Sequence, residues 1–195
     1  MAQASSARSS GPPMADEGPG HCILLRHATP VPEEEDPEKP LSAQGHEEAS
    51  FTAKGISAYL ELNASGAPKT VLIFHSSKAR AQQTADTVAG VLGEAGWDVT
   101  CESRDGLSPQ ASADLLQAAS ASTVLMVGHL PHMGFLAAHL VGSIAAAGRL
   151  QGLFCPAGGL ALERKGSAWE EAAEIAPGVS WWTEAPPPPM PPPAS

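Results

Sequence analysis

Two arginines and two histidines follow buried-looking runs in this chain, and their side chains suit one task. Arg26 and His27 close "CILLRHA", Arg80 follows "TVLIFHSSKA", and His129 closes "STVLMVGH". A guanidinium offers a rigid fork of donors that matches phosphate oxygens. An imidazole changes charge near neutrality and serves as acid, base or hydrogen-bond donor. Gathered in one crevice, Arg26, His27, Arg80 and His129 make a site for a phosphoryl group.

The elements that must gather them are legible from hydrophobic patterning. "HCILLRHA", "TVLIFHSS" (70–77) and "STVLMVGH" (122–129) read as continuous apolar strands, the pattern of a parallel sheet covered on both faces. Helices are predicted over residues 43–62, with Ala49, Ala53, Ile56 and Leu60 on one face, over 78–93, over the short run 112–119, and from Pro131 to Ala147. "WDVTCES" reads as a weaker strand, and "GGLALERKG" and the segment after Trp169 as edge strands joined by the turn "RKGSA". This alternation predicts an α/β fold of three layers, α/β/α, around a mostly parallel sheet. In such sheets ligands bind at the carboxyl ends of the strands. All four candidate residues fall there if the three strands are neighbours, and the helix starts after the second and third strands add a positive dipole end.

The motifs "RHA", "SSKARAQQTA" and "VGHLP" together resemble the histidine phosphatase superfamily over residues 21–176. The short chain and "KPLSAQG" at 39–45 look like its SixA-type phosphohistidine phosphatase branch. The resemblance implies a phosphoglycerate-mutase-like fold in minimal form, without a large insertion. It implies that His27 is a covalent nucleophile and that Arg26, Arg80 and His129 hold the phosphoryl oxygens. Arg26 and Arg80 then keep the His27 imidazole neutral and nucleophilic. In-line attack phosphorylates His27, water releases phosphate, and the arginines with a protonated His129 match charge on the equatorial oxygens. No metal and no cofactor are expected. The chain departs from the family pattern at Ala28, where glycine is common, and at Lys39, where the branch carries arginine.

The large acid-bearing insertion of the mutase branch is missing from this chain. The remaining candidates for a proton donor are Glu33, Glu34, Glu35 and Asp36, in the loop after His27, and Asp114, opening the short helix. A phosphoramidate nitrogen leaves more readily than an alkoxide, so the expected substrate is phosphohistidine in a protein. A phosphatase of a small phosphorylated metabolite is the first alternative, and a phosphate-binding or adaptor module without turnover the second. So compact a chain predicts a shallow site at the sheet crest. Among neighbouring residues, His75 reads as a strand-end residue and His132 as either pocket rim or helix surface. His46 and His139 read as structural, and Ser76 and Ser77 as caps. Gln83 and Thr84 position the second helix.

Composition limits the alternatives. The 195 residues carry a formal charge of −10, which argues against nucleic-acid or anionic-membrane partners. Three cysteines without a C-x-x-C pair predict reduced, mostly buried thiols rather than a disulfide framework or zinc site. No signal-like or membrane-spanning stretch is present in the sequence, and a cytoplasmic location is the default expectation. Residues 1–20 are expected to form a disordered tail and 21–183 the domain. Residues 184–195 are expected to form a proline-rich tail that is either a spacer or a ligand for a proline-binding module. Trp181 and Trp182 are expected to cover an apolar edge.

Overall fold

The computed structural model describes residues 18–64 and 66–178. Strand β1 (His21–Arg26) leads to helix α1 (Ala43–Asn63), followed by β2 (Thr70–His75), α2 (Ala79–Glu94), β3 (Asp98–Ser103), α3 (Pro109–Ala118) and β4 (Thr123–Gly128). Then come α4 (His132–Leu140), a short 3-10 turn, α5 (Ala147–Gly152), β5 (Gly159–Lys165) and β6 (Ala168–Ile175). The strands form one sheet in the order β3-β2-β4-β1-β5-β6. The first four strands in chain order run parallel, and β5 and β6 are antiparallel additions.

The pleat divides the apolar runs between two cores, because successive side chains point to opposite faces. Ile23 and Leu25 of β1, Val71 and Ile73 of β2, and Leu125 and Val127 of β4 pack with Ala53, Ile56 and Leu60 of α1 and Ala81, Ala85, Val88 and Leu92 of α2. The alternate residues Cys22, Leu24, Phe74, Val124 and Met126 pack with Leu116 of α3, Leu136 of α4 and Leu150 of α5. Three layers result because these strands are apolar on both faces.

Several expectations need correction. The "GGLALERKG" strand is interior: β5 pairs with β1 on one side and β6 on the other, and Gly159 to Leu162 are buried. The helix after Pro131 stops at Leu140, where Gly142 takes a φ of 68°. There Gly142 N donates to His139 O and Ser143 N to Ala138 O, a Schellman stop that satisfies the last carbonyls. The third helix starts at Pro109 rather than 112, because Ser108 caps it by accepting from Ala111 N. Gly18–Gly20, assigned above to a tail, belong to the fold: Gly20 N donates to Ser122 O, and Arg164 N donates to Gly20 O. Of the three thiols only Cys22 is buried; Cys101 lies on the edge strand β3 and Cys155 in the loop before β5, both exposed. Residues 1–17 of the predicted N-terminal tail, Trp181, Trp182, the predicted domain end at residue 183 and the proline-rich segment lie outside the described residues. Among the described residues, no helix is long and apolar enough to cross a membrane.

Candidate active site

Register sets the site. Arg26 of β1 is the partner of Gly128 of β4, and His75 of β2 is the partner of Val127. The central strands therefore end at one level. His27 N donates to Gly128 O at 3.0 Å and Ser76 N to Val127 O at 3.2 Å, which extends the ladders by one rung. The loops after β1, β2 and β4 then leave the sheet together, carrying His27, Arg80 and His129 to one crest.

His27 is held in one tautomer. Its Nδ1 lies 2.7 Å from Ala28 O, and a carbonyl oxygen only accepts, so Nδ1 bears the proton of the neutral ring. Nε2 is left with its lone pair, and Arg80 Nε donates to it at 3.2 Å. Burial, followed by the Arg80, Arg26 and Lys78 charges, pushes the His27 pKa down to about 4, against the opposing bond to Ala28 O. The expected neutral imidazole is thus present, with burial rather than the arginines as its main cause.

The His129 ring meets the His27 ring edge-on, with centroids 4.9 Å apart. Burial, His27, Arg80 and Lys78 push its pKa down to about 4 despite the opposing Asp105. In the unliganded site the ring is therefore neutral at neutral pH, and the protonation expected of it belongs to the phosphate-bound state. Its Nε2 is buried without a hydrogen-bond partner among the described residues. Arg26 is fixed by donating Nη1 to Phe154 O at 3.0 Å.

The supporting contacts come from the motif residues. Thr84, fully buried, accepts from Ala28 N at 3.1 Å and donates to Arg80 O at 2.7 Å, tying the loop after β1 to the turn that carries Arg80. Gln83 accepts from Leu41 N at 2.7 Å. Ser42 caps α1 and also donates to Thr29 O. Gly45 is required there because a Cβ would stand 2.0 Å from Thr29 O. Ser76 and Ser77 are not caps of α2: Lys78 holds the cap position without a side-chain bond. Instead Ser76 Oγ donates to Asp105 Oδ1 at 2.9 Å, and Ser77 N donates to the same oxygen at 3.0 Å.

The expected proton donors have their own local partners or face solvent. Glu33 pairs with Lys39 at 3.3 Å. Glu34 and Glu35 are exposed, and Asp36 accepts from Glu38 N. Asp114 lies within α3 rather than opening it, exposed and bonded to Gln110 at 2.8 Å. Asp105 is the carboxylate that sequence reasoning missed. It sits in the "SRDG" loop after β3, where the only signal was a turn. Hydrogen bonds from Ser77 and Ser76 hold its carboxyl below the usual carboxylate range. Beside His129 a cavity of about 260 Å³ opens, with Asp105 in its lining. His132, one of two roles open above, lines this cavity and bonds to Ser112 Oγ at 3.1 Å; His75 also lines it. Among the described residues, no three His, Cys, Asp or Glu side chains group as metal ligands.

No family model and no curated protein matches this sequence. Solved structures do. The provisionally named phosphohistidine phosphatase SixA of Agrobacterium tumefaciens superposes with a TM-score of 0.62 at 24% identity, covering 83% of this chain and 100% of that one. That of Nakamurella multipartitia gives 0.60 at 22% identity, over 84% and 100%. A phosphoserine phosphatase from Entamoeba histolytica, solved with 3-phosphoglyceric acid, gives 0.54 at 13% identity, over 81% and 98%. The chain shares the three-layer α/β/α fold of these phosphatase structures.

Proposed function

We propose that this protein is a metal-independent phosphatase that works through a phosphorylated His27, with phosphohistidine in a protein as its substrate. The observation that carries this reading is the His27 ring, neutral and locked with Nδ1–H on Ala28 O, so that Nε2 points its lone pair toward Arg80 beside His129. Arg80 and Arg26 bind the phosphoryl oxygens. A phosphoryl dianion arriving beside neutral His129 favours protonation of that ring, and the unpartnered Nε2 then gains an acceptor. Nε2 of His27 attacks in line, the leaving group departs with the bonding pair, and water cleaves the phosphohistidine formed.

The fold shared with the SixA structures supports the substrate class. The test is a competition between a histidine-phosphorylated carrier protein and a panel of phosphomonoesters, with and without EDTA. Preference for the carrier and indifference to EDTA are expected. Preference for a small phosphomonoester by a wide margin replaces the phosphohistidine assignment with a metabolite phosphatase.

A further inference from the structure

We propose that the cavity beside His129 receives the protonated imidazole ring of an N-phosphorylated histidine, with Asp105 as its counter-ion, so that the ring leaves without a separate proton donor. This inference rests on the phosphatase reading above and specifies the leaving group it takes.

The cavity has apolar and polar side chains in its lining. Buried Phe74, Met126 and Met133 line it, with half-buried His129 and His132 and exposed Asp105. Such a lining suits a flat ring with polar nitrogens. Asp105 is the one carboxylate among the described residues that line it. Its Oδ1 is occupied by Ser76 and Ser77, which fixes the group at the cavity. Arg80 and Lys78 act on His129 and outweigh Asp105 there, so Asp105 is the anionic group that a bound ring meets at the cavity. Arg104, the neighbouring cation, is paired with Glu102 and lies over the Phe74 ring at 6.0 Å. His129 and His132 are both shifted toward the neutral form by burial. The free Asp105 oxygen gives this lining one carboxylate acceptor, which is poorly suited to an anionic leaving group. It suits a cationic one.

The chemistry then balances without an acid. His27 Nε2 forms the new N–P bond as the P–N bond to the substrate ring breaks, and the electron pair of that bond stays on the substrate nitrogen. The other ring nitrogen already carries a proton, so the ring departs as neutral imidazole. Water next attacks phosphorus, the N–P bond to His27 breaks with its pair returning to Nε2, and orthophosphate and a solvent proton leave. None of Glu33, Glu34, Glu35, Asp36 and Asp114 is then required to supply a proton.

The experiment compares wild type, Asp105→Asn and Leu107→Trp. Each is assayed on a histidine-phosphorylated carrier protein, free phosphohistidine and p-nitrophenyl phosphate, from acidic to alkaline pH. Asparagine keeps an acceptor oxygen for Ser76 and Ser77 but removes the charge; tryptophan at the cavity lining narrows the space. Both variants are expected to lose about tenfold more kcat/KM on the two phosphohistidine substrates than on the aryl ester. The wild-type preference for phosphohistidine is expected to fade as alkaline pH deprotonates the substrate ring, and Asp105→Asn to flatten that fade. A larger kcat/KM for the carrier than for free phosphohistidine supports a protein source for the ring. Equal losses on all three substrates, or no change in the pH dependence, overturn the assignment of Asp105 and the cavity. If wild type hydrolyses none of the three, the phosphatase reading itself falls.

Discussion

Arg80 Nε donates to His27 Nε2 at 3.2 Å, so the lone pair that would attack phosphorus is engaged by the guanidinium in the unliganded site. The contact aims the ring and keeps its Nε2 unprotonated. It must be exchanged for a phosphoryl group, because Nε2 cannot both accept from Arg80 and bond to phosphorus. Arg80 is thus placed to follow the phosphoryl oxygens as they arrive.

Arg80→Lys should show how much of this depends on the guanidinium fork. Lysine keeps the charge but loses the planar pair of donors. Loss of a donor aimed at the transition state costs about 3 kcal/mol, or about a hundredfold in kcat. Steady-state kinetics on an aryl phosphate should show that loss mainly in kcat. A change confined to KM would assign Arg80 to ground-state binding.

Acid sensitivity should reveal the two neutral rings. His27 and His129 are both held near a pKa of about 4, against an ordinary 6.5. As pH falls, the unfolded chain takes up protons on these rings before the folded chain does. Their contribution to stability is therefore complete above about pH 6.5 and is lost as pH falls toward 4. Urea denaturation across that window should show stability falling with pH, and the double variant His27→Asn/His129→Asn should flatten the slope. An unchanged slope in the double variant would contradict the buried neutral pair.

Thr84 should matter to the fold as much as to the site. Its hydroxyl accepts from Ala28 N and donates to Arg80 O from a fully buried position. Thr84→Val keeps the shape and leaves the buried Ala28 N–H without its acceptor, at a cost of about 1–3 kcal/mol. Equilibrium unfolding should register that loss; a stability equal to wild type would mean that the amide finds another partner.

The parts legible in the sequence are those fixed by local pattern. The apolar runs of β1, β2 and β4 mark the strands, and their polar ends mark His27, Arg80 and His129, because a buried strand has no other use for such groups. What escaped was decided between distant segments. Asp105 gained its place when the loop after β3 packed against Ser76 and Ser77 across the sheet end, and an Asp-Gly turn looks the same in sequence with or without such partners. β5 read as an edge strand because "ERK" and the turn after it are polar, yet its first half pairs with β1. The protonation of His129 depends on burial and on His27 beside it, neither of which a lone "GH" reveals. Gly142 ended α4 early through a positive φ that helix-forming alanines downstream concealed.

The covalent role of His27 is tested most directly by rapid quench with a radiolabelled histidine-phosphorylated carrier protein, followed by mapping of the labelled peptide. The geometry predicts acid-labile, base-stable phosphate on His27 Nε2 within the first turnover, and none in a folded His27→Ala variant that has also lost turnover. Full turnover in His27→Ala, or a first turnover that leaves no phosphate on His27 at any quench time, would contradict the account.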